Sequence, residues 1–223
     1  PAEFYRLLRA NHHLPKTSAP SVGDFVQVYA EATRAADAVV SIHLPPHLSA
    51  TFEAARVAAQ LFEDVPVHVV DSRCTTMAQG FVVLEAARVA AAGAGVDEVI
   101  ARADEISGKV TFYAMLDTLE YLHRGGRIGG AAALLGAMLQ IKPVVHLVDG
   151  RVEPLAKPRT VGRAVDVMVA HMVEEVAGRP VHAAVMQGDA LAEAHALMAR
   201  VECEFDCVEL YLTEFTPVMG AHA

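Results

Sequence analysis

Two apolar runs of strand length, residues 38–44 (AVVSIHL) and 65–70 (VPVHVV), each stop at turn-forming residues and give way to a segment with helical spacing. Pro45 and Pro46 end the first run; Asp71 and Ser72 end the second. A strand that returns to a neighbouring strand through a helix runs parallel to it, so this order restricts the first half to βα units on a largely parallel sheet. In such sheets ligands bind beyond the carboxyl ends of the strands, where the polar stretches 43–51 and 71–76 are predicted to lie. Helices are predicted over 24–36, 49–62, 76–92 and 97–107. A short amphipathic helix over 2–10 puts Phe4, Leu7 and Leu8 on one side.

The second half changes character. A strand is predicted over 110–116 and a short helix over 117–123, after which Gly125, Gly126 and Gly129 break the chain. An apolar helix over 131–140 follows. Residues 143–148 and 151–155 flank Asp149-Gly150, a pair suited to a tight hairpin turn. Helix 161–176, strand 181–186, helix 190–201 and strand 208–215 complete the chain. A hairpin among strands joined by helices implies mixed pairing. The expected fold is therefore α/β with two lobes: a Rossmann-like parallel-sheet lobe over 1–108 and a mixed-sheet α/β lobe over 109–223.

Of the 223 residues 53% are hydrophobic, enough for a sizeable core, and the net charge of −9 argues against a nucleic-acid partner. Against that balance, 123–163 carries seven basic residues and two acidic ones, so its basic groups are expected to face something anionic. A transient membrane contact by this stretch is compatible with its charge. Three cysteines make a disulfide framework improbable and fit a reducing compartment. Cys203 and Cys207 lack a second pair at zinc-site spacing, so no metal is expected. With no secretory leader in view and no uninterrupted apolar run of about 20 residues, the expectation is a soluble, cytoplasmic protein.

Three constellations could carry chemistry. Thr17-Ser18-Ala19-Pro20-Ser21 places hydroxyls before a helix, where they either satisfy backbone N–H groups or donate to an anion. Leu48-Ser49-Ala50-Thr51 follows a strand and opens a helix, and reads either as a plain N-cap at Ser49 or as an anion site. The Gly125-Gly126-Arg127 loop offers close backbone approach and a fixed cationic fork, without the order of a P-loop or a dinucleotide site. His43 and His47 are separated by two prolines and share no helical face. No Ser/His/Asp order or G-x-S-x-G elbow is present, so no catalytic residue is assigned. His222, near the end, reads on its own as part of a frayed terminus.

Taken together, Lys16-Thr17-Ser18-Ala19-Pro20-Ser21, Ser41-Ile42-His43, Leu48-Ser49-Ala50-Thr51, Val70-Asp71-Ser72-Arg73, Asp117 to Leu122, Arg124 to Ile128, Ile141-Lys142-Pro143, Gly150, Pro154, Lys157, Arg159 and Gly220-Ala221-His222 resemble the DegV family of bacterial fatty-acid-binding proteins. The resemblance spans nearly the whole chain, and its most specific part runs from Leu119 to Pro143. It implies a long-chain fatty acid bound in a buried tunnel between two lobes. Its carboxylate would be held by Thr17 or Ser18, by Ser49 with Ala50, and by His222, with Arg127 near the cleft mouth as a carboxylate ligand or partner contact. It further implies a lipid-binding subunit rather than an enzyme, with no cofactor, presenting the carboxylate to a separate ATP-binding kinase subunit that forms an acyl phosphate. Ala50 departs from the family's glycine and puts a methyl beside a backbone N–H. The family's opening Asp-Ser strand and its closing Gly-Pro-Gly segment are not in this sequence. The apolar supply for a tunnel is Phe81, Val82, Leu84, Leu134, Leu135, Met138 and Leu139. The alternative reading is an enzyme acting on a small phosphorylated or carboxylated metabolite at the Gly-Gly-Arg loop.

Overall fold

A computed structural model describes residues 2–10 and 15–222, with the side chains of Met138 and Leu139 outside the described set. In chain order its helices are α1 (Ala2–Ala10), α2 (Val22–Ala32), α3 (Thr51–Ala59), α4 (Thr76–Ala91), α5 (Val96–Ser107), α6 (Glu120–Arg124), α7 (Val161–Val176), α8 (Leu191–Glu204) and α9 (Pro217–Gly220). The strands are β1 (Val39–His43), β2 (Val67–Asp71), β3 (Tyr113–Met115), β4 (Val144–Val148), β5 (Arg151–Ala156), β6 (Val181–Gln187) and β7 (Cys207–Glu214). The fold is α/β, as the βα alternation implied. It divides into two compact units, one of Ser18–Phe112 with the hairpin tip Val148–Arg151, the other of Pro1–Thr17, Tyr113–Leu147 and Val152–Ala223. The division thus falls after Phe112, and the first helix groups with the C-terminal half of the chain rather than with the segment that follows it.

In the unit built on Ser18–Phe112, β1 and β2 pair in parallel from Val39 opposite Val67 to His43 opposite Asp71. Successive strand residues point to opposite faces, and the hydrophobic pattern uses both. Val40, Ile42 and Val70 pack on Val82 and Ala86 of α4 and on Val99 and Ala103 of α5. Val67 and Val69 pack on Tyr29 of α2 and on Ala55 and Ala58 of α3. Helix α2 begins at Val22, ahead of the expected Asp24, because Ser21 and Asp24 close a capping box: Ser21 Oγ accepts the Asp24 N–H at 3.2 Å and the Asp24 carboxylate accepts the Ser21 N–H at 2.8 Å.

The other unit carries the mixed pairing predicted for the second half, but in two separate sheets: β3-β4-β5 and β6-β7. Strands β3 and β4 are antiparallel, whereas β6 and β7 run parallel. Helix α7 serves both. Its Val169 joins Ala183, Val185, Ala194, Val201 and Phe205, while its Ala164 and Met168 join Val144. The β4–β5 turn has φ of 47° at Asp149 and 74° at Gly150, the two positive values that a tight two-residue hairpin needs. Pro154 is accommodated because β5 is an edge strand.

Two sequence expectations change. On α1 the buried side chains are Tyr5 and Leu8, whereas Leu7 is 43% exposed; the ring of Tyr5 outweighs the smaller Leu7 as the docking surface. The apolar run after the paired glycines is a 3-10 helix over Gly129–Gln140, tighter than the α-helix expected. Three glycines in that span lower the preference for regular α geometry. Of the predicted tunnel residues Leu134 and Leu135 are half-buried, Val82 is buried in the α4–α5 core, and the side chains of Met138 and Leu139 lie outside the described residues.

Candidate functional site

The Tyr113–Ala223 part of the chain brings His222 to Thr17. Backbone bonds from Gly220 N–H to Thr216 C=O, from Ala221 N–H to Pro217 C=O and from His222 N–H to Met219 C=O wind residues 216–222 into one continuous turn. His222 is thereby held in structure rather than frayed. Its Nε2 lies 2.7 Å from Thr17 Oγ1, across 205 residues of sequence. Its Nδ1 is buried without a protein hydrogen bond. It abuts Gly125, where an added Cβ would come 2.5 Å from Nδ1 and 2.9 Å from the Tyr121 carbonyl oxygen. The Gly125 of the paired-glycine loop is therefore a flat wall for the imidazole. Arg127 folds back on the same loop, its guanidinium donating to the Gly125 carbonyl at 2.5 Å.

This geometry selects a tautomer. A buried N–H without an acceptor costs more than an unused lone pair, so the proton resides on Nε2 and is donated to Thr17 Oγ1. The Thr17 hydroxyl hydrogen is then left to donate to a ligand. Burial pushes the His222 imidazole below its usual value of 6.5, and the positive charge of Arg127 pushes it the same way. His222 is thus a neutral partner at pH 7.

In the Ser18–Phe112 unit, Ser49 is not the N-cap of α3. Ala50 occupies that position with φ −71° and ψ 0°, a conformation that any residue adopts, so its methyl brings no backbone strain where the family has glycine. Ser49 Oγ instead accepts the Thr51 N–H at 3.2 Å and lies 2.8 Å from Thr51 Oγ1, forming a hydroxyl pair at the helix start. Ser18 is exposed.

The same unit holds a polar relay that joins Ser41 and His43 to Tyr29. Tyr29 O–H, on a side chain only 2% exposed, donates to Ser41 Oγ at 2.8 Å, and Ser41 Oγ lies 2.7 Å from His43 Nε2. Ser41 Oγ has a second lone pair and a proton of its own, so it can pair with Nε2 of His43 in either imidazole tautomer. The His43 ring meets Phe25 edge-on at 5.2 Å. The signal was present in the sequence: polar residues at 41 and 43 alternate with Val40 and Ile42, and so share one face of β1.

Burial also holds the His43 imidazole below 6.5. A histidine whose folded-state pKa is lowered resists protonation in the folded protein, while the unfolded chain takes up the proton near 6.5. The stability contributed is complete above about pH 6.5 and declines as pH falls toward the folded-state value. Urea unfolding at pH 7.5 and 5.5 is expected to show a lower midpoint at 5.5, with the drop reduced in a His43→Gln, His222→Gln double variant. A drop equal in both proteins would assign the effect to other groups.

The basic stretch is partly neutralised: Lys142 pairs with Asp117 at 2.7 Å and Arg124 with Glu120 at 2.9 Å. Among the described residues, no helix is long and apolar enough to cross a membrane.

Fold and polar groups together define a class: an α/β chain of two compact units, each holding a small hydroxyl–imidazole pair, Thr17–His222 in one and Ser41–His43 in the other. The model of a family described as "Uncharacterised protein, DegV family" matches residues 1–223, and the chain belongs to the DegV family. Protein DegV of Bacillus subtilis is 34% identical over 221 residues, covering 98% of this chain and 79% of that protein. The DegV domain-containing protein SCO2569 of Streptomyces coelicolor is 41% identical over 208 residues, covering 92% and 74%. Among solved structures, a fatty-acid-binding DegV family protein from Thermus thermophilus superposes with a TM-score of 0.92 at 34% identity, covering 100% of this chain and 80% of its own. DegV of Bacillus subtilis, a fatty acid binding protein, superposes with a TM-score of 0.89 at 32% identity, covering 99% and 79%.

Proposed function

We propose that this chain binds a long-chain fatty acid and that the Thr17–His222 pair receives its carboxylate. The observation that carries the reading is the 2.7 Å contact between Thr17 Oγ1 and a half-buried, neutral His222, which leaves the threonine hydroxyl as a donor for an anion. The fatty acid binding of the relatives from Thermus thermophilus and Bacillus subtilis supports the same ligand class. An acyl chain supplies the driving force: each buried methylene contributes about 0.8 kcal/mol, so sixteen carbons offer on the order of 10 kcal/mol before ordering costs. The head group must still be satisfied, because a charge left unpaired out of water costs several kcal/mol.

The family resemblance supports Ser18, Ser49, Ala50 and Arg127 as further carboxylate-binding residues. The protein does no bond-breaking of its own and calls on no cofactor. It presents the carboxylate in the cytoplasm to a separate ATP-binding kinase subunit, where a carboxylate oxygen attacks the γ-phosphorus of ATP, ADP leaves and an acyl phosphate forms.

Organic extraction of the purified protein followed by mass spectrometry is expected to release a long-chain fatty acid. The delipidated protein is expected to bind carboxyl-13C palmitate with a perturbed carboxyl resonance. A negative charge beside His222 raises its pKa above that of the free protein, so the complex holds more protons and palmitate affinity is expected to rise as pH falls from 8.5 to 5.5. Protein that releases no lipid and binds no palmitate at any of these pH values would sink the reading.

A further inference from the structure

The turn that carries His222 packs against the first helix. The turn carrying His222 is short: α9 spans only Pro217–Gly220, and Ala221 and His222 complete it. Four residues of helix are too few to be stable alone, so the turn must borrow its geometry from a neighbour. That neighbour is α1. Tyr5 O–H donates to the Phe215 carbonyl at 3.1 Å, just before the turn. The rings of Phe4 and Tyr5, edge-on to one another at 5.3 Å, crowd Gly220: a Cβ there would come 2.8 Å from a ring carbon of each and 2.9 Å from the Tyr5 hydroxyl oxygen. Ala221, next along, is 3% exposed. The far end of α1 is tied as well, by the ion pair of Arg9 with Asp189.

We propose that Tyr5, with Phe4, is the positioning residue for His222: the first helix clamps both ends of the 216–222 turn and so sets where the imidazole meets Thr17. The part of this that concerns ligand rests on the fatty-acid reading above; the part that concerns His222 does not. The two contacts act at Phe215 and at Gly220, on either side of a backbone fixed by its own hydrogen bonds. A shift of the turn by even half an ångström takes a 2.7 Å hydrogen bond toward the limit of a useful one. It would also lift the ring from Gly125 and admit water to Nδ1. Tyr5 itself touches no ligand in this scheme; it acts only through His222.

The test uses Tyr5→Phe, which removes one hydrogen bond and keeps the ring, and Gly220→Ala, which pushes the turn away from the rings. Arg6→Ala is the control, since Arg6 pairs with Glu3 on the exposed side of α1. The first readout is the His222 imidazole in the free protein, its titration and tautomer followed by 15N NMR. Both variants are expected to bring its pKa up toward the ordinary 6.5 as burial is lost, and the control to leave it unchanged. The second readout is palmitate affinity, expected to fall about three- to tenfold in Tyr5→Phe, the loss of one neutral hydrogen bond's worth of order. A His222 titration in folded Tyr5→Phe that overlays the parent overturns the proposal, even if the variant melts earlier, because a merely structural tyrosine would move stability alone. Should Gly220→Ala fail to fold, Tyr5→Phe still decides. If His222 shifts in Tyr5→Phe while the parent binds no palmitate, the positioning stands and the fatty-acid reading falls.

Discussion

Replacing His222 with alanine is expected to lower palmitate affinity by about ten- to a hundredfold while leaving the fold in place. A hydrogen bond to a charged group is worth about 1.5–3 kcal/mol, and 1.4 kcal/mol is a factor of ten. His222 acts through Thr17. With Nε2–H donating to Thr17 Oγ1, the hydroxyl is oriented with its own hydrogen outward. In the alanine variant the hydroxyl rotates freely, and a water must replace the imidazole. The fold should tolerate the loss, because His222 is only half-buried and its Nδ1 already lacks a hydrogen-bond partner among the described residues. A companion variant reaches the same end from the opposite wall. Gly125→Ala keeps the imidazole but sets a methyl 2.5 Å from Nδ1, so the ring must turn away from Thr17. Similar losses in both variants, measured by titration of delipidated protein, would place the effect in the geometry of the pair. An unchanged affinity in folded His222→Ala would remove the pair from the binding site.

The largest stability effect is expected at Gly129. Its φ of 52° is in the left-handed region, where a side chain costs roughly 1–2 kcal/mol. A Cβ there would also collide with the carbonyl oxygen of Val152 and come 3.2 Å from that residue's carbonyl carbon and nitrogen. Those atoms are backbone of β5, a strand held in register by β4, so the obstacle cannot swing aside as a side-chain tip would. Strain and displacement together predict a loss of about 3 kcal/mol or more for Gly129→Ala. Gly136, seven residues on in the same 3-10 segment, provides the contrast: among the described residues no non-neighbouring atom lies within 4 Å of the place its Cβ would occupy, and its φ is not positive. Gly136→Ala is expected to be neutral or slightly stabilising, through a less flexible unfolded chain. Urea unfolding of both variants at equal m-value checks the pair, and a Gly129→Ala midpoint within error of the parent would contradict the steric argument.

The reach of the sequence differs from one element to the next. The bounds of α7, Val161–Val176, coincide with the periodic segment read from the residues, and the Asp149-Gly150 turn is where two β-prone runs had to fold back. The resemblance picked out Thr17 and His222, although nothing local distinguished either from a capping hydroxyl and a loose end. At Ser49 the sequence left an N-cap and an anion site open, and the structure removes the first: Ala50 is the N-cap, and the Ser49 hydroxyl pairs with Thr51. Ser41 and His43 stand out in the resemblance, but their link to Tyr29 does not, because a polar residue inside a strand looks like a weak strand until a buried donor is found opposite it.

The amino-acid order by itself determined the succession of strands and helices, the parallel βα character of the first half and the hairpin in the second. Each of these follows from interactions between residues a few positions apart, through periodicity, capping and turn chemistry. Only the tertiary structure decided that α1 joins the C-terminal unit, that its tyrosine grips the 216–222 turn, and that Thr17 meets an imidazole 205 residues away. Contacts of that kind depend on the path of the whole chain and on which apolar faces find each other first, and no local pattern of side chains encodes them.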